Sequence, residues 1–268
     1  KKDGSLRPCG DYRQLNSHTI HDSYPMPRIT DILQKFHGST IFSTLDLKKA
    51  YHQIPVNEQD IPKTAVITPF GLFEYMFIPF GLRNASQTLQ RLMDQIFRET
   101  PFAFAYLDDI IIASKDRETH STHVKLILSI LNRNSLIINL DKCTFFKEEV
   151  RFLGHLITAT GSKPTPERLE TIKNFPKPTT VTQLRSFLGT LNYCHRFISN
   201  ASNIIGPLTA LSAGPKQSSI NWTPEATHAF ELAKESITRI PTLHYPRHDL
   251  PLTLTTDASN TAAGAVLH

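Results

Sequence analysis

The stretch FAYLDDIIIAS, residues 104–114, limits the fold more than any other part of the chain. Two apolar runs, each short enough for a buried strand, flank an adjacent carboxylate pair, Asp108 and Asp109. That pattern predicts a tight hairpin with both acids at its turn. Tight hairpins favour Asn-Gly or Asp-Gly, so Asp-Asp is an odd choice there. Adjacent like charges beside low-dielectric surroundings repel, and one of them keeps its proton unless a cation is close. Either the pair is an ordinary solvated turn, or it exists to hold metal.

The neighbouring segments bear on that choice. STIFSTLD (39–46) alternates like a strand and ends at Asp46, and NASQTLQRLMDQIF (84–97) has the apolar spacing of an amphipathic helix opened by Asn84 or Ser86. A lone Asp at a strand end is commonly a helix cap. Here a helix–hairpin layout between Asp46 and the 108–109 pair can bring all three acids to one sheet edge. Such an oxygen-rich group suits a hard divalent cation such as magnesium. The remaining segments read as a short helix at 30–36 capped by Thr30, a hairpin over 63–82, a helix over 119–136 and a strand pair over 148–158. Proline-punctuated helices follow over 165–240, with Thr223 and Pro224 opening one of them, and 251–259 alternates like a strand.

At 268 residues and 40% hydrophobic content the chain can bury more than one core. It contains no apolar run near the ~20 residues that span a bilayer, so no membrane partner is expected. Cys9, Cys143 and Cys194 are far apart and form no C-x-x-C pair. That excludes a zinc module or disulfide framework and fits a reducing compartment rather than secretion. Net charge is +5. Residues 160–221 carry seven cations (Lys163, Arg168, Lys173, Lys177, Arg185, Arg196, Lys216) against Glu167 and Glu170. The excess in that span equals that of the whole chain, which suggests a segment lying along a phosphate backbone. The chain opens on Lys1-Lys2 and stops within what reads as a hairpin, and is read as a piece of a longer protein.

Six blocks occur in order: KKDGSLRPCGDYRQLN, FSTLDLKKAYHQIPV, IPKTAVITPFGLFEYMFIPFGLRNASQTLQRLMD, AYLDDIIIAS, KCTFFKEEVRFLGHLIT and LRSFLGTLNYCHRFI. Together they closely resemble the pol polyprotein of gypsy-type long-terminal-repeat retrotransposons, relatives of retroviruses. The resemblance covers essentially the whole chain. It implies an α+β right-hand polymerase with partial fingers, a palm built on an antiparallel sheet and a helical thumb, followed by the start of a ribonuclease H-like α/β domain. Fingers and palm are expected over 1–158, the thumb over 159–221 and the ribonuclease H-like part over 222–268.

The same resemblance implies an RNA-directed DNA polymerase that extends a primer on an RNA or DNA template with deoxynucleoside triphosphates. Asp46, Asp108 and Asp109, with the main-chain carbonyl of Leu47, would hold two magnesium ions, with manganese as a substitute. Lys1 and Arg7 would grip the triphosphate, Tyr51 would exclude a 2′-hydroxyl, and Phe80-Gly81 would flank the nucleotide. Leu153-Gly154-His155 would hold the primer end, and Lys163, Lys173 and Lys177 would meet the duplex backbone. Asp257 would be the first acid of a ribonuclease H site, whose activity is expected only in the longer parent. The partners implied are primer–template, nucleotides and the rest of the polyprotein, in a cytoplasmic particle with nuclear entry. Leu6, Gly10, Ser86 and Leu89 depart from the family pattern, yet none removes a metal ligand. The competing reading is a copy without activity that only binds nucleic acid.

Overall fold

Period-two burial along residues 41–46 and 103–114 organises the molecule, because each strand there has one face for each of two cores. The computed structural model describes residues 9–215, 217–245, 251, 253–258 and 263–267. The first part contains α1 (Arg13–His18), α2 (Ile29–Gln34), β1 (Ile41–Asp46), the short hairpin β2 (Val66–Thr68) and β3 (Gly71–Phe73), and α3 (Ala85–Ile96). Next come β4 (Ala103–Tyr106), β5 (Asp109–Ser114), α4 (Arg117–Arg133), β6 (Thr144–Lys147), β7 (Glu149–Phe152), β8 (His155–Thr158) and β9 (Gly161–Pro164). The helices α5 (Pro166–Lys173), α6 (Val181–Tyr193), α7 (Ala201–Leu211) and α8 (Pro224–Ser236) precede the hairpin β10 (Leu254–Ala258) and β11 (Ala263–Leu267). No described helix is long and apolar enough to cross a membrane.

The central sheet is antiparallel in the order β4-β5-β1-β6. Leu45, Ile110 and Ile112 join Leu89 and Met93 of α3 and Val124, Ile127 and Leu131 of α4 in one core. Phe42, Ile111 and Ala113, from alternate positions, face the other way and meet Phe36, the β7–β9 sheet (Val150, Phe152, Ile157) and Tyr245. The three isoleucines 110–112 are fully buried, which pins the hairpin from both sides. A third core lies among the helices after residue 165, around Leu184, Phe187, Leu191 and Phe230. Ala226, Ala229 and Ala233 of α8 belong to this same core. Packing therefore crosses the boundary expected at residue 222.

Local chemistry explains three helix starts, those of α4, α6 and α8. Asp116 caps α4 by accepting from the Thr119 amide at 2.8 Å. Thr180 and Gln183 form a reciprocal capping box on α6. Thr223 accepts from the Ala226 amide at 3.1 Å, with Pro224 at the first helical position, as the sequence predicts. Two expected caps are not caps. Thr30 lies inside α2, whose cap position is Arg28, and its hydroxyl reaches Asp31 instead. Asn84 occupies the cap position of α3, but its side chain ties down the 20–22 segment, donating to the Ile20 carbonyl and accepting from the Asp22 amide.

Candidate active site

The register of β1 against β5 makes the site. Leu45 pairs with Ile110, so Asp46 stands directly opposite Asp109. Side chains directly opposite on antiparallel strands share a face, here the one that carries Phe42 and Ile111. Tyr106 pairs with Asp109, leaving Leu107 and Asp108 as a two-residue loop. Leu107 has φ +56, a left-handed conformation that costs a leucine about 1–2 kcal/mol. Gln90, fully buried on α3, compensates: its Oε1 accepts from the Leu107 amide at 2.8 Å, while its Nε2 donates to the Ala105 carbonyl at 3.1 Å and to Asp94. The Leu47 amide donates to the Asp108 carbonyl at 3.1 Å, closing the loop onto the end of β1.

Electrostatics at this edge are frustrated. Burial, then Asp108 and Asp46, push the Asp109 carboxyl up to about 6, and Lys142 opposes them. Lys142 Nζ lies 3.1 and 3.4 Å from the two Asp46 carboxylate oxygens, where it acts as a local counter-ion. Asp108 stays exposed on the turn. Asp46 and Asp109 are thus brought together and Asp108 adjoins them, but among the described residues no group of three or more His, Cys, Asp or Glu side chains is gathered to hold a metal. The donor set itself, hard carboxylate oxygens on a repelling pair served by one lysine, fits a divalent cation. A cavity of about 180 Å³ opens here, lined by Asp46, Asp109, Lys142, Arg151, Phe152 and Leu153.

The residues expected around a nucleotide gather near the start of α3. The Tyr51 ring meets Phe80 edge-on at 5.5 Å, and its hydroxyl shares a 3.1 Å hydrogen bond with Ser86, one of the positions departing from the family pattern. Gly81 has φ +101, and a side chain there would begin 3.3 Å from Tyr12. Leu89, another departure, is fully buried. Lys1, Leu6 and Arg7 lie outside the described residues.

Leu153 and Gly154 form the two-residue loop between β7 and β8, both with positive φ (+48 and +75), as in a type I′ turn. His155 follows, buried, its ring stacked on Tyr193 at 4.8 Å. Burial, then Arg196 and Arg168, hold His155 down to about 4 and therefore neutral near pH 7. Among the expected backbone contacts, Lys163 lies in β9 and Lys173 is exposed at the end of α5. Lys177 lies over the Trp222 ring at 4.7 Å and donates to Thr227. Asp257 is exposed in β10, paired with Gly264.

Sequence reasoning missed Gln90, Lys142, Arg151 and Tyr193. Gln90 left one legible signal: it lies three residues before Met93 and seven before Phe97, on the buried face of an otherwise apolar helix stripe. Lys142 and Arg151 left none, since only the fold brings them beside Asp46.

Residues 1–157 match the family model described as reverse transcriptase (RNA-dependent DNA polymerase), and residues 222–268 match the RNase H-like domain found in reverse transcriptase. The chain is 43% identical over 260 residues to the retrovirus-related Pol polyprotein from transposon 297 of Drosophila melanogaster, covering 96% of this chain and 24% of that protein. It is 40% identical to the Pol polyprotein from transposon opus of the same organism, covering 96% of this chain and 27% of the relative. The chain thus spans about a quarter of the length of these curated relatives. Among solved structures it resembles a foamy viral protease-reverse transcriptase in complex with ds DNA (TM-score 0.91, 26% identity, 100% of this chain and 47% of that one). It also resembles the foamy viral protein in complex with an RNA/DNA hybrid (TM-score 0.83, 26% identity, 93% and 34%). With its sheet, its paired carboxylates and these matches taken together, the chain belongs to the reverse transcriptase family and is a relative of retrotransposon Pol polyproteins.

Proposed function

We propose that the chain is the catalytic part of an RNA-directed DNA polymerase, extending a primer 3′-hydroxyl with deoxynucleoside triphosphates. One observation carries the reading: the β1–β5 register sets Asp46 opposite Asp109, one residue from Asp108, beside a cleft that Leu153 also lines. The relatives' transposon origin and the nucleic acids bound by the foamy viral proteins support the same substrates here.

In this reading Asp46, Asp108 and Asp109, with the Leu47 carbonyl, hold two magnesium ions, for which manganese can substitute. When bound, those ions lower the pKa of the primer hydroxyl and offset charge on the departing pyrophosphate. The protein's own share is placement. Lys142 yields its place on Asp46. Tyr51, braced by Phe80 and Ser86, presents a ring where a ribose 2′-hydroxyl would clash. Lys1 and Arg7 balance triphosphate charge. The Leu153–His155 turn orients the primer end, and Lys163, Lys173 and Lys177 follow the duplex backbone. We place residues 1–158 as fingers and palm, 159–221 as thumb, and 222–268, whose α8 packs against the thumb helices, as the beginning of a ribonuclease H-like unit. The working setting is a retrotransposon particle with the rest of the polyprotein.

The test is magnesium-dependent primer extension on an RNA template. Asp108→Asn is expected to reduce extension at least 100-fold, with a thermal midpoint no lower than the parent's, because the residue is exposed and the loss of its charge relieves repulsion on Asp109. Extension at the parent's rate would refute the assignment. A parent chain that binds primer–template but never extends it would favour the binding-only reading.

A further inference from the structure

The loop Leu153–Gly154 borders the carboxylate cleft through Leu153, and it is held both by its own sheet and by the helical part of the chain. Each of its carbonyls accepts a hydrogen bond, one from a helix and one from the residue that follows β9. The Tyr193 hydroxyl, at the end of α6, donates to the Leu153 carbonyl, and the Thr165 amide, at the cap of α5, donates to the Gly154 carbonyl at 3.1 Å. A Cβ at Gly154 would lie 2.6 Å from Arg168 Nη1 and 2.9 Å from the Tyr193 hydroxyl, so a side chain there would have to push these groups aside.

Tyr193 cannot swing away, because it sits inside a column of flat groups. The Arg168 guanidinium covers one face of its ring at 3.5 Å, and His155 stacks on it at 4.8 Å. Phe197 follows His155 at 5.8 Å, and the Arg196 guanidinium lies 4.9 Å from Phe197. The column draws one member from each of α5, α6 and β8 and two from the 195–197 turn, so it joins the loop to the helical bundle. Its centre, His155, is 3% exposed, and among the described residues its Nδ1 has no hydrogen-bond partner, so the ring is held by stacking.

We propose that Tyr193 is a positioning residue, whose hydroxyl sets where the Leu153–Gly154 loop stands against the carboxylate cleft and, through that loop, where the primer terminus lies. The inference rests on the polymerase reading for its kinetic consequence, while its mechanical part stands apart from it. The hydroxyl ties the loop to α6 directly, in addition to the stacked column. Nothing in the column touches the reacting atoms.

The test compares Tyr193→Phe, which removes only the hydroxyl and leaves the column stacked, with the parent chain. Amide exchange over residues 152–156 is expected to accelerate at least fivefold in the variant, while exchange in α3 is unchanged. In single-nucleotide extension, kcat is expected to fall about tenfold with KM for primer–template altered less than twofold, since placement and not binding is lost. Unchanged exchange at 152–156 overturns the proposal, as does faster exchange with an unaltered kcat in an active parent. A rise in KM alone, or acceleration spread evenly over the chain, also overturns it, because either would mark Tyr193 as a binding or merely structural residue. A parent that never extends a primer refutes the polymerase reading, and the exchange data then decide the positioning role by themselves.

Discussion

Two hairpin loops of this chain are built alike and supported differently. Leu107–Asp108 and Leu153–Gly154 are both two-residue loops, both begin with a leucine at positive φ, and both are followed by a titratable residue withdrawn from solvent, Asp109 half-buried and His155 buried. The first loop is braced from within, by Gln90 on the helix that packs under its own sheet. The second is braced by Thr165, which continues the β8–β9 ladder, and from outside by Tyr193 of α6. A loop that carries charge needs an invariant support, and a buried amide inside one core supplies it. In the proposed reading, a loop that meets the primer end gains from being tied to the helices that would follow the duplex. The buried residues show the same contrast in electrostatics. Burial raises Asp109 to about 6 and lowers His155 to about 4, so each is driven toward its neutral form.

The comparison breaks most readily at Gln90. Replacing it with Leu leaves the Leu107 amide and the Ala105 carbonyl without this buried partner. The expected loss is about 2–4 kcal/mol in chemical denaturation, with the first loop opening and the second unaffected. A loss below about 1 kcal/mol would mean the first loop holds itself. Gly154→Ala is the matching change in the second loop. A Cβ at φ +75 beside Arg168 and Tyr193 should cost about 2 kcal/mol, and the damage should appear as faster amide exchange in α6 rather than in α3. Equal exchange in both helices would show that the second loop is not specially tied to the helical part.

The smallest effect, and the one that sharpens the electrostatic contrast, is a pH dependence. Asp109 has a folded pKa above its ordinary 3.8, so the folded state binds the extra proton and stability falls as pH rises from about 4 to about 6. His155 has a folded pKa below its ordinary 6.5, so the unfolded state binds the extra proton and stability rises from about 4 to about 6.5. The two slopes oppose each other over one window. In chelator-treated protein, Asp109→Asn should therefore add about 1 kcal/mol at pH 7, add nothing at pH 4, and leave the rising slope of His155 exposed. A divalent cation should reduce the benefit at pH 7, because it relieves the same repulsion in the parent. Thermal midpoints across pH 4–7 check this, and a gain that is constant with pH would mean the repulsion at Asp109 is not the cause.

What was legible in the sequence was whatever depends on neighbours along the chain. Alternation in 41–46 and 103–114 sets which residues face each core, and the Thr223-Pro224 helix start follows from capping chemistry alone. The ordered blocks carried the family and its expected acids, because a short motif keeps its spacing wherever the fold puts it. What only the tertiary structure decided depends on contacts between distant segments. Asn84 and Thr30 are good capping residues by type, but Asn84 is claimed by the 20–22 segment and Thr30 falls inside its helix. Lys142 reaches Asp46 across 96 positions and Tyr193 reaches Leu153 across 40, separations at which no local pattern remains. The strand register that sets Asp46 against Asp109 is of both kinds. Parity along each strand puts each acid on its face, but only the pairing of β1 with β5 makes those faces one, since a one-residue slip would send the two acids to opposite sides of the sheet.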